Sequence, residues 1–203
     1  MSHFEGPISA FVLAGGKSSR MQQDKAMLRV RDRYLIEYSI GVMQKLTDNV
    51  RIIGDPAKYD FIGLPVIPDF VPPNGPLAGI YTGLKFSDSR HNLFLACDMP
   101  FMEYEFFTLL LKKIGEADAA VIRFNDGKVE PLASIYTRKG LPEIERNIAS
   151  RQYKITDFLD RIQVAYVGEE ALKEVGLSRR IFANINTPED MLLLDGLDSQ
   201  PPQ

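Results

Sequence analysis

A short apolar run, Ile8–Leu13, ends in a segment suited to handling charge: Ala14-Gly15-Gly16-Lys17-Ser18-Ser19-Arg20, closed a few residues later by Asp24-Lys25. Two adjacent glycines let a ligand come close to backbone N–H groups. Lys17, Arg20 and Lys25 supply cations. Amides and cations together suit the phosphates of a nucleoside triphosphate. Two common phosphate-binding templates do not fit. Gly16-Lys17-Ser18 imitates the end of a P-loop, but that motif needs glycine where Phe11 stands. A dinucleotide fingerprint needs glycine where Lys17 stands. The residues alone are equally compatible with a strand-ending Gly-Gly turn whose charges are solvated.

Other positions could join such a site. Asp98 closes a short apolar run, Leu93–Ala96. A carboxylate there can hold Mg²⁺ together with substrate phosphates, or it can simply cap the turn before Pro100. Asp69 ends another run and carries the same two readings. Gly75-Pro76-Leu77-Ala78-Gly79 places small residues at a helix start, fit for an anion or for close packing on a sheet. Asn184 and Asn186 flank a turn, and their amides could read a heterocycle or merely form the turn. Cys97, the one cysteine, reads as a small buried hydrophobe, because no histidine lies near it in sequence. With only His3 and His91 besides, zinc of the Cys/His type is excluded and any metal would be held by oxygen.

The elements that must position these residues alternate. Strands are expected at 8–13, 50–53, 64–67, 93–96, 119–124, 129–136, 163–167 and 181–184. Helices are expected at 35–46, 77–86, 104–114, 139–148 and 154–161. A last helix follows Thr187, with Thr187 as its cap and Pro188 in its first turn. Alternating strands and helices give an α/β fold, a Rossmann-like three-layer α/β/α sandwich around a mostly parallel sheet. Ligands of such sheets bind beyond the carboxyl ends of the strands, where the loops at 14–25, 68–76, 97–100 and 184–188 would meet.

The 203 residues, 45% apolar and 25% charged, suit one large soluble domain, or at most two small ones. A net charge of −3 argues against general nucleic-acid binding. No run is long and apolar enough for a membrane span, and the N-terminal residues lack a signal-peptide pattern, so a cytoplasmic protein is expected.

Taken together, LAGGKSSRMQQDK, GPLAGI, ACDMPF and NINTPED resemble the molybdenum cofactor guanylyltransferases, the MobA family of nucleotidyltransferases. The four stretches occur in the family's order and span residues 8 to about 192. The resemblance implies one nucleotidyltransferase domain of the nucleotide-diphospho-sugar transferase type. Residues 8–100 would bind nucleotide, 101–194 the pterin substrate, and 195–203 would form a flexible tail. It implies Mg²⁺-assisted transfer of GMP from GTP to the terminal phosphate of molybdopterin, giving the guanine dinucleotide and pyrophosphate. Leu13, Ala14, Gly15 and Gly16 match the nucleotide-contacting backbone. Lys25 matches a catalytic lysine, with Arg20 and Lys17 at the phosphates. Asp69 matches a nucleotide-binding aspartate, Asp98 the magnesium ligand, and Asn184 and Asn186 the pterin-facing segment. Expected partners are the two substrates and the molybdoenzyme apoproteins or their chaperones that take the product, with the enzyme a monomer.

The chain departs from the family at Gln22, where glycine is usual. Cytidylyltransferases of the same fold commonly read Leu-Ala-Ala-Gly, so Leu13-Ala14-Gly15-Gly16 favours GTP by analogy. A CTP-dependent cytidylyltransferase, of the cofactor or isoprenoid-precursor type, is the first alternative. A cobalamin-pathway guanylyltransferase and a non-catalytic nucleotide-binding protein are the others.

Overall fold

A computed structural model describes residues 6–14, 24–30, 32–70, 75–185 and 190. Runs rich in apolar residues form the strands β1 (Ile8–Leu13), β4 (Val50–Ile53), β5 (Val66–Ile67), β6 (His91–Ala96), β7 (Ala119–Arg123), β8 (Val129–Tyr136) and β9 (Val164–Gly168). A two-residue pair, β2 (Arg29–Val30) and β3 (Arg33–Tyr34), makes a separate small ladder. The helices are α1 (Leu35–Gln44), α2 (Pro56–Tyr59), α3 (Pro76–Lys85), α4 (Tyr104–Lys113), α5 (Leu141–Ala149), α6 (Ile155–Leu159) and α7 (Glu170–Glu174).

The sheet has seven strands in the order β5-β4-β1-β6-β8-β7-β9. Every neighbouring pair is parallel except the two that involve β8. Side chains alternate across it, as the two-residue strand period requires. Ala10, Val12, Ile52, Leu93 and Leu95 face one way, packed with Ile36, Ile40 and Met43 of α1 and Phe106, Phe107 and Leu110 of α4. Phe11, Leu13, Ile53 and Phe94 face the other way, packed with Leu77, Ile80 and Leu84 of α3, Ile144 of α5 and Phe158 of α6. Two helical layers therefore enclose the sheet, and the expected sandwich is present.

Most expected elements stand within a few residues of their predicted ends. One does not exist. Residues 181–184 form no strand; the chain there is a 3-10 turn over Arg179–Phe182, capped by Ser178, whose hydroxyl accepts from the Arg180 N–H. The turn's own bonds, the Ile181 N–H to the Ser178 carbonyl and the Ala183 N–H to the Arg180 carbonyl, take up backbone groups that a ladder would use. Phe182 packs edge-on against Phe106 and Phe124 instead. The expected cap at Thr187 and the tail from 195 lie outside the described residues.

Candidate active site

The carboxyl end of β1 is pinned on both sides. The Ala14 N–H donates to the Ile53 carbonyl at 2.9 Å, and the Cys97 N–H donates to the Leu13 carbonyl at 3.2 Å. Gly15, Gly16, Lys17, Arg20 and Gln22 lie outside the described residues. The chain is described again at Asp24, which caps a 3-10 turn over Lys25–Met27 by accepting from the Ala26 N–H at 3.2 Å. Its other oxygen accepts from Lys58 Nζ at 3.0 Å and from Tyr59 Oη at 2.8 Å. Tyr59 Oη also lies 2.9 Å from the Ala14 carbonyl oxygen. One buried hydroxyl thus ties together the two ends of the glycine-rich loop, its single proton shared between two acceptors. Burial, then the bond to Asp24, pushes the phenol far above its usual range, so it remains a donor. Gly54 makes room for the ring: a Cβ there would lie 2.7 Å from Tyr59.

Asp98 follows β6 on the same edge of the sheet. The Ser39 hydroxyl of α1 donates to the Ala96 carbonyl at 3.1 Å, satisfying a buried acceptor where the ladder ends. The Ile185 N–H donates to the Asp98 carbonyl at 2.9 Å, which brings Asn184 alongside. Val30, Leu35, Phe101 and Ile185 form a small apolar cluster beneath this contact. Burial raises the Asp98 carboxyl above the ordinary carboxylate range, and the Lys25 charge opposes that shift. Lys25 and Asp98 therefore act on one another across the site. The Asn184 side-chain oxygen is buried with no hydrogen-bond partner among the described residues. Asn186 lies outside them. Burial, then the Asp98 charge, holds the Cys97 thiol protonated, which suits a packed side chain and not a nucleophile.

Asp69 follows β5, two strands away from β1 on the same edge. Burial raises its carboxyl too. The next residue is anchored: the Phe70 N–H donates to the Thr82 hydroxyl at 2.9 Å, and that hydroxyl donates to the Ala78 carbonyl at 3.0 Å. Gly75 begins α3 at φ +93°, a conformation that disfavours any side chain. Gly79 is a packing glycine, since a Cβ there would meet Leu13 at 2.9 Å. The described contacts gather Leu13, Ala14, Lys25, Asp98 and Asn184 into one group. They leave Asp69 on the flank.

Two residues of this neighbourhood were given no role from the sequence: Asp24 and Tyr59. They meet across 35 positions, and Tyr59 also reaches Ala14 across 45, which no local pattern encodes.

A family model described as the MobA-like NTP transferase domain matches residues 10–165. A protein of Carboxydothermus hydrogenoformans named a probable molybdenum cofactor guanylyltransferase is 33% identical over 183 residues, covering 90% of this chain and 92% of its own. The molybdenum cofactor guanylyltransferase of Syntrophotalea carbinolica is 33% identical over 185 residues, covering 90% of this chain and 88% of its own. Among solved structures, molybdopterin-guanine dinucleotide biosynthesis protein A of Archaeoglobus fulgidus superposes with a TM-score of 0.80 at 26% identity, covering 94% of this chain and 98% of its own. A 4-diphosphocytidyl-2C-methyl-D-erythritol synthase of Anaerococcus prevotii shares the fold, with a TM-score of 0.69 at 16% identity over 95% of this chain and 96% of its own.

Proposed function

The chain belongs to the MobA-like NTP transferase family, and from that premise we propose that it is a molybdenum cofactor guanylyltransferase. The observation that carries the proposal is the grouping of Lys25, Asp98 and Asn184 where β1 and β6 end, beside the loop that begins at Ala14. An oxygen of the molybdopterin terminal phosphate attacks the α-phosphorus of GTP. A new P–O bond forms, the bond to the β-phosphate bridge breaks, and pyrophosphate leaves with that electron pair. The pterin phosphate is the nucleophile, so no protein nucleophile is required, in keeping with a protonated Cys97.

Each named residue then has a task in positioning or neutralisation, the two effects that dominate phosphoryl chemistry. Lys25 offsets charge at the triphosphate from a turn fixed by Asp24 and Tyr59. Leu13 and Ala14 present backbone to the nucleotide, and Gly15, Gly16, Lys17 and Arg20 would continue that contact. Asp69 would hold the nucleotide from the β5 side. Asn184 and Asn186 would face the pterin. Residues 8–100 would thus serve the nucleotide and 101–194 the pterin.

The donors fit a hard divalent ion such as Mg²⁺. They are oxygen atoms, one a buried amide oxygen with no partner among the described residues, and the nearby thiol is protonated. Asp98 would be the ion's carboxylate. When bound, the ion supplies charge neutralisation at the phosphates. The test is a panel of the four nucleoside triphosphates, each with molybdopterin and Mg²⁺, read as dinucleotide and pyrophosphate formed. Turnover with GTP well above the others is expected. A preference for CTP, or turnover with none, overturns the proposal.

A further inference from the structure

We propose that Lys58 is a positioning residue of the nucleotide site. Its ammonium cancels the charge of Asp24, so that Asp24 ties the loop together without repelling the triphosphate. This role rests on the nucleotide-transfer reading above and adds a residue to it.

Two demands meet at Asp24. The first is shape. Oδ1 accepts from the Ala26 N–H at 3.2 Å and caps the Lys25–Met27 turn, while Oδ2 accepts from Tyr59 Oη at 2.8 Å. Through Tyr59 the same carboxylate is tied to the Ala14 carbonyl, where the glycine-rich segment begins. The second demand is charge. Asp24 is the neighbour of Lys25, the residue proposed to receive the phosphates. A bare carboxylate there opposes the same polyanion that Lys25 attracts.

The one-turn helix α2 answers both demands. Asp55 starts it, accepting from the Ala57 N–H at 3.0 Å, with Pro56 in its first turn. Its last two residues converge on one oxygen of Asp24. Tyr59 is buried and reaches Oδ2 from the core side. Lys58 reaches the same oxygen with Nζ at 3.0 Å, its own side chain 53% exposed and that of Asp24 24% exposed. An ion pair so open to solvent contributes little to stability. Its consequence is local charge. Without Lys58, Asp24 keeps two uncharged donors and stands as an uncompensated anion beside the phosphate site. Such a charge acts on an anionic ligand over several ångströms, most strongly at low salt.

The test is calorimetric titration of the full-length protein with GTP and Mg²⁺, without molybdopterin, at low and at higher ionic strength. Lys58→Met should weaken GTP binding roughly tenfold at low salt, as a unit charge near a polyanion does in partly screened surroundings, and the gap should narrow as salt rises. Its Tm should stay within about 2 °C of the wild type, as expected for an exposed pair. Lys58→Arg keeps the charge and should bind within about twofold of the wild type. Lys85→Met removes an equal charge from the exposed pair with Glu145 and should match the wild type. Asp24→Asn keeps an oxygen for the Ala26 N–H and offers an N–H to the Tyr59 oxygen. Added to Lys58→Met, it should therefore return most of the lost affinity, since no charge is left to cancel. No loss in Lys58→Met, or a loss that Asp24→Asn does not relieve, overturns the proposal. Should Asp24→Asn lower Tm, the salt series decides, and a gap that does not narrow overturns the proposal as well. Because the charge acts on phosphates and not on the base, the same titrations are run with CTP. Tighter binding of CTP would overturn the guanylyltransferase reading, while the same variants, read with CTP, still decide the role of Lys58.

Discussion

Lys25 and Asp98 carry the proposed chemistry, and both stand at strand or turn ends where their charges meet across the site. Asp98→Asn and Lys25→Met should each lower kcat by about 10²–10³, the usual cost of removing one electrostatic stabiliser, with the thermal transition little changed. Turnover near wild type in either variant would remove that residue from the reaction. Tyr59→Phe should behave differently. It takes one proton from Asp24 and the Ala14 carbonyl but leaves the Lys58 ion pair. A loss of about 1–3 kcal/mol in stability is expected for a buried bond to a charged group, with KM for GTP rising more than kcat falls. These residues mark the limit of what sequence shows. Asp98 was legible because a carboxylate after an apolar run is a local pattern. Tyr59 was not, because it acts through distant partners.

At the scale of the elements, the site depends on how closely α3 lies on β1 and β6. Gly83 of α3 faces the stacked rings of Phe11 and Phe94, whose centroids are 5.1 Å apart. A Cβ at Gly83 would lie 2.5 Å from Phe94 and 3.1 Å from Phe11. Both rings belong to the strands whose ends hold Ala14 and Asp98. Gly83→Ala should therefore cost about 1–3 kcal/mol through overpacking, a fall in Tm of about 2–4 °C per kcal/mol for a chain this size. Calorimetry of the variant checks this, and an unchanged Tm would show that the helix can slide without loss. The strands were readable because continuous apolar runs such as Ala10–Leu13 and Leu93–Ala96 sit in a sheet covered on both faces. The short α2 and α7 and the β2–β3 pair were not, since two to five residues are too few to show a period. Ile181-Phe182 misled for the same reason.

Across the whole molecule, the ends of the parallel strands divide the work. The proposed site occupies the carboxyl ends, while His91 begins β6 at the opposite edge. Both its ring nitrogens are buried without partners among the described residues. Burial, then the Arg90 charge, holds its imidazole below the ordinary value of 6.5, with Glu116 opposing. A lowered folded value means the unfolded chain takes the proton first. Stability from His91 is thus present above 6.5 and lost as pH falls through the lower folded value. Between about pH 7.5 and about pH 5 the wild type should lose more Tm than His91→Gln. Equal losses would show that His91 does not set the acid limit.

The sandwich was legible from alternation alone, as was the edge proposed to bind the substrates, whereas the choice of reaction needed the family resemblance. The most direct test of that reaction is the fate of label from GTP. With molybdopterin and Mg²⁺, α-phosphate label should appear in the dinucleotide and γ-phosphate label in pyrophosphate. Label from the γ-phosphate in the pterin product, or α-label recovered only as GDP or GMP, would contradict the account.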